Sequence, residues 1–161
     1  MPYDSPYIPQ LCVLFGLSLW MTLELVNNIV NCKGAVTFVG RIMSMSALAE
    51  DLSVETPLIR RRIESRSWHR LGHGALLVIM LGTAFLLWTA TAALVGALYF
   101  QLSPHLARYL ANLALSAFVG MSFFLMLGSL WFGYWIKHAD LRLTHLALIC
   151  VGIGAALLVN L

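Results

Sequence analysis

The chain has 161 residues, of which 60% are hydrophobic and only 11% charged, and its mean hydropathy is +0.84. That composition cannot build a hydrated surface, so a soluble globular domain is excluded and lipid is the expected solvent. The net charge of +3 comes from a few arginines in connecting segments, too few and too local to imply a nucleic-acid partner.

In chain order, Pro2, Pro6 and Pro9 open the sequence with no basic n-region, and no cleaved secretory signal is expected. Residues 8–30 form the first apolar run, interrupted by Glu24, Asn27 and Asn28. The connection 31–73 holds seven of the ten basic residues: Lys33, Arg41, Arg60, Arg61, Arg62, Arg66 and Arg70. Within it Phe38, Val39, Ile42, Met45, Leu48 and Leu52 recur at steps of three and four. Arg41, Ser44, Glu50 and Asp51 fall elsewhere, which predicts an amphipathic helix at the membrane interface, with Pro57 restarting the chain. Residues 74–100 and 107–136 are each long enough to cross a bilayer, which takes roughly 20 apolar residues at 1.5 Å per residue. The short turn containing Pro104 makes them antiparallel neighbours. Residues 141–158 supply a fourth span.

Apolar residues that run on without alternating favour helices over a barrel, because at membrane depth each segment must satisfy its own backbone. The expected fold is an all-α membrane protein: one integral domain, 1–161, built as a four-transmembrane-helix bundle with an interfacial amphipathic helix between the first two spans. Small and polar residues at helical spacing mark where such helices touch: Asn112, Ser116 and Gly120 on the third span, Gly152 and Ala156 on the fourth, Ala92 and Gly96 on the second. Cys12, Cys32 and Cys150 have no paired spacing and are expected as packing residues. Nine of the ten basic residues fall on the side of the first and third connections, which by the positive-inside rule puts that side in the cytoplasm and both termini outside.

Glu24 is the sole acidic residue inside an expected span, and an ionised carboxylate there costs about 2.5 to 3.5 kcal/mol on insertion scales. It must be protonated, partnered or wet. Asn27, Asn28 and Asn31 continue its face, so this polar network is expected to face the bundle or a partner, either as packing glue or as a proton- or ligand-holding site. Histidine is the other candidate, because neutral imidazole ligates haem iron. His73 and His145 both open spans from the same side, and a bis-histidine haem b between them is conceivable; His69 and His138 lie on that side too. Trp131, Phe132 and Trp135, with Tyr134 among them and Lys137 beyond, form an expected interfacial belt. Met43, Ser44 and Met45 are read as packing rather than a soft-metal site. Catalytic motifs of hydrolases, metalloproteases and nucleotide enzymes are absent from the sequence, and neither a catalytic nor a metal site is expected.

Asn27, Asn28, Ile29 and Asn31, then Phe38, Val39, Ser44 and Met45, and finally Gly128, Trp131, Phe132 and Trp135 together resemble the bacterial family described as predicted small integral membrane protein, domain of unknown function 2165. The resemblance runs along nearly the whole chain. It implies the fold and a bacterial inner (cytoplasmic) membrane, and supplies no activity. Family acids after the Ser-Met step and before Trp-Phe are replaced here by Ser46 and Leu130. The family's acid in the second span has no counterpart near Met80 or Thr83, and its basic second connection is uncharged at 101–106. The family orientation would place the asparagine-rich connection outside, opposite to the charge count.

The function expected from these residues is a non-catalytic accessory subunit or assembly factor of a larger membrane complex. Its partners would be membrane lipids, with bound lipid in the bundle, and either other integral membrane subunits or further copies of itself. The alternatives are a redox subunit holding haem b or quinone through His73, His145 and the aromatic end of the third span, and a small transporter or channel working through Glu24.

Overall fold

The computed structural model describes residues 7–50 and 56–161, the side chain of Trp135 excepted. Among the described residues four helices are long and apolar enough to cross a membrane: α1 (Tyr7–Val30), α4 (Arg66–Tyr99), α5 (Pro104–Trp131) and α6 (Ala139–Asn160). Between α1 and α4 lie α2 (Cys32–Met43), α3 (Ser46–Ala49) and a 3₁₀ turn, Pro57–Arg61. The expected amphipathic helix is thus two helices, broken at Met45, whose backbone is left-handed (φ 53°). Leu52, expected on its apolar face, lies outside the described residues.

α4 starts at Arg66, eight residues before the expected boundary. The expected boundary marked the start of the uncharged run, whereas the helix also takes in Arg66, Arg70 and Gly72, and Gly72 lets α2 come close. A Cβ there would stand 3.3 Å from Met43 Sδ and 3.5 Å from Val39 Cγ1. At 34 residues α4 is about 50 Å long, well beyond a hydrocarbon core of about 30 Å, so its first turns stand clear of the span. α5 ends at Trp131 rather than at 136. Gly133 adopts φ 62°, a conformation open to glycine, and a 3₁₀ turn, Tyr134–Ile136, follows.

The four spans form an up-down ring in which α1 packs on α4, α4 on α5 and α5 on α6, with a lighter α6–α1 closure. Hydrogen bonds between side chains mark these seams. Ser18 and Thr91 share one at 3.0 Å, and Trp88 Nε1 donates to Thr22 Oγ1 at 2.9 Å, joining α1 to α4. Asn112 and Asn160 exchange two, at 3.1 and 2.8 Å, between α5 and α6. Gln10 Nε2 donates to the Leu158 carbonyl at 3.0 Å and closes the ring. Each such bond contributes roughly 0.6 to 2 kcal/mol in a bilayer.

The tightly packed core occupies the end of the bundle that holds both termini. Leu14, Leu17, Leu87, Leu94 and Phe118 fill it, and Ala107, Ala111 and Ala114, spaced four and three apart on α5, are wholly buried, which lets helices approach closely. Gly152 also lies at a seam as expected, against Phe118 and Val119. Ser116 and Gly120 do not; they face outward along a groove between α5 and α6. The three cysteines are likewise exposed rather than packed. In lipid, an outward thiol or glycine costs little, because the surroundings are as apolar as the core.

Candidate functional site

At the opposite end the helices are covered by α2 and α3. Met45 and Leu48 are buried over Gly133, where a Cβ would meet Leu48 Cδ1 at 3.1 Å and Met45 Cε at 3.3 Å. The segment before α4 is tied down as well: Ile63 N donates to the Met43 carbonyl at 2.8 Å, and His69 Nε2 donates to the Ile63 carbonyl at 2.8 Å. His69 is thereby a structural pin.

Beneath this cover is a cavity of about 380 Å³. Phe38, Val39 and Met43 of α2 roof it. Leu76 of α4, Phe124 and Ser129 of α5, and His145 of α6 form its sides, and Asn28 closes it toward α1. Phe132 and Tyr134 complete the wall. Tyr134, expected among the belt aromatics, is buried. The turn at Gly133 carries it inward, where it stacks on His138 (4.2 Å between centroids) and meets Phe38 edge-on (5.9 Å). Burial raises the Tyr134 phenol above its ordinary pKa, Asp140 adds to this, and Arg41 opposes it. Trp131, by contrast, faces outward at the end of α5, with the Arg61 guanidinium 4.6 Å from its ring centroid.

Among the described residues, Ser129 Oγ, His145 Nδ1 and His73 Nε2 are buried without a hydrogen-bond partner. Ser129 and His145 line the cavity; His73, on the inner face of α4, is not part of its wall. The two histidines expected to share a haem therefore do not share this cavity. No group of three or more His, Cys, Asp or Glu side chains able to hold a metal occurs among the described residues.

The polar network on α1 divides. Glu24, Asn27 and Asn31 face away from the bundle, while half-buried Asn28 turns toward the cavity and donates to the Glu24 carbonyl at 2.9 Å. The Glu24 carboxylate makes no hydrogen bond or ion pair among the described residues. Possible internal donors are engaged or turned elsewhere: Thr83 donates to the Ile79 carbonyl at 2.8 Å, and Cys150 is exposed. Beside this face, Lys33 and Arg41 of α2 join Asn27 and Asn31 around an open groove.

The family described as predicted small integral membrane protein (DUF2165) matches residues 7–161. The chain belongs to that family. No curated protein and no solved structure matches it. This DUF2165 chain is thus an integral multi-pass membrane protein. The sequence singled out His145 as a candidate haem ligand and Phe132 as a belt residue, but not Ser129. Nothing in its surroundings along the chain marks a serine whose hydroxyl bypasses its own helix.

Proposed function

We propose that this DUF2165 protein is a non-catalytic accessory or assembly subunit of a larger complex in a bacterial cytoplasmic membrane, docked through the face of α1 that carries Glu24, Asn27 and Asn31. The observation that carries this reading is the outward carboxylate of Glu24, two turns inside a span and unanswered among the described residues. Against lipid such a group is costly, at about 2.5 to 3.5 kcal/mol by insertion scales, and polar residues in spans turn toward partners. A helix from another subunit that donates hydrogen bonds to Glu24 and the asparagine amides would relieve that cost. An outward Glu24 also lies off any path through a single chain, which argues against transport by the monomer.

The test is purification from native membranes in mild detergent, with a photocrosslinker at Leu23 on the same exposed face. A polypeptide recovered in fixed stoichiometry is expected with wild type and Glu24→Gln, and its loss with Glu24→Leu. A second copy of this chain in the adduct would replace the foreign subunit with self-association. A lone monomer that yields only lipid adducts would overturn the reading.

A further inference from the structure

We propose that the cavity under α2 binds an amphiphile whose carbonyl oxygen accepts hydrogen bonds from Ser129 and His145. The inference is independent of the subunit reading, since none of Glu24, Asn27 and Asn31 lines the cavity.

Ser129 is the informative residue. The other buried hydroxyls in the spans each return to the carbonyl four residues earlier: Ser18 to Leu14 at 2.7 Å, Thr83 to Ile79 at 2.8 Å, Thr91 to Leu87 at 2.9 Å and Ser122 to Phe118 at 2.9 Å. That bond is the ordinary refuge of a helical hydroxyl where water is absent. Ser129 is 6% exposed and does not take it. His145 Nδ1, across the same cavity, is also unanswered. An unpaired buried polar group costs roughly 1 to 3 kcal/mol, so two in one wall point to a missing acceptor.

The rest of the wall selects the body of that ligand. Phe38, Val39, Leu76, Phe124 and Phe132 are apolar. Asn28 and Tyr134 add two polar side chains, but a bound water needs two to four polar partners, and a space of about 380 Å³ would hold more waters than these four side chains can satisfy. A carbonyl on an apolar frame meets both demands: Ser129 Oγ donates, and the imidazole donates from Nδ1 in the tautomer that protonates it. An isoprenoid quinone and an acyl-ester lipid both carry this chemistry.

Thermal unfolding of the full-length protein in detergent, titrated separately with a decyl-substituted benzoquinone and with methyl palmitate, distinguishes them. A saturable stabilisation by the first identifies a quinone, by the second an acyl lipid, and by both a site that reads the carbonyl alone. Ser129→Ala and His145→Phe should each weaken binding by about five- to tenfold, the loss of one hydrogen bond. Unliganded Ser129→Ala should unfold no earlier than wild type, because it removes an unsatisfied hydroxyl; earlier unfolding would show that the hydroxyl is already paired. Should His145→Phe fail to fold, Leu76→Trp, which fills the cavity, replaces it with the same expected loss. Absence of saturable binding to either probe, or binding unchanged by these substitutions, overturns the proposal.

Discussion

His69 lies directly over Gly40: a Cβ on Gly40 would stand 2.7 Å from Nδ1 of the imidazole and 3.2 Å from its Cγ and Cε1. The ring cannot swing away freely, because its Nε2 is held by the Ile63 carbonyl at 2.8 Å. Gly40→Ala should therefore push α2 off α4 and destabilise the protein by about 1 to 3 kcal/mol, the usual cost of overpacking. Thermal unfolding measures the loss, and His69→Ala in the same chain should recover part of it. Equal unfolding midpoints for Gly40→Ala and wild type would show that the contact is loose.

Gly152 and Gly120 form a matched pair on facing helices. A Cβ on Gly152 would come to 2.5 Å from Val119 Cγ2, whereas nothing stands within 4 Å of one on Gly120. Gly152→Ala should weaken the α5–α6 seam by roughly 1 to 3 kcal/mol, while Gly120→Ala should be neutral or mildly stabilising through its better helix propensity. Unfolding of both variants in one detergent is the comparison, and equal loss from the two would refute this assignment of faces.

The reciprocal amide pair of Asn112 and Asn160 is suited to a double-mutant cycle with alanine at each site. A coupling of about 0.6 to 2 kcal/mol is expected, in the range of interhelical hydrogen bonds in bilayers. Additive single effects would mean that each amide finds other partners.

Tyr134 predicts an alkaline loss of stability. Its phenol holds a proton more tightly folded than unfolded, so the stabilisation is fully present below the ordinary phenol pKa and is lost as pH rises through the raised folded value. Tyr134→Phe should flatten that part of the stability-pH curve. A curve of unchanged steepness would exclude this phenol as its source.

Much of the architecture was legible because hydropathy adds up along a segment: four spans, a charged connection and an amphipathic stretch around Phe38–Ile42 all follow from local runs. The helix boundaries were less so. The uncharged run begins at 74, yet α4 starts at Arg66, and Gly72 within the added turns packs against α2. Glu24 stood out as a costly residue to place in a span and His145 as a candidate haem ligand, while Ser129 did not, since a serine in a helix normally satisfies itself.

What the sequence alone determined is the solvent: too little charge for water, and runs long enough for lipid. Which side of each helix faces inward was decided only by tertiary structure. Leu87 is wholly buried, while Leu81 and Phe85, on the same helix and just as apolar, face outward. In water the hydrophobic effect writes that distinction into the sequence as a polar face. In a bilayer, lipid and core are equally apolar, so packing alone sorts the faces, turning Asn28 inward and Glu24 outward and leaving Ser129 unanswered in the wall of a cavity.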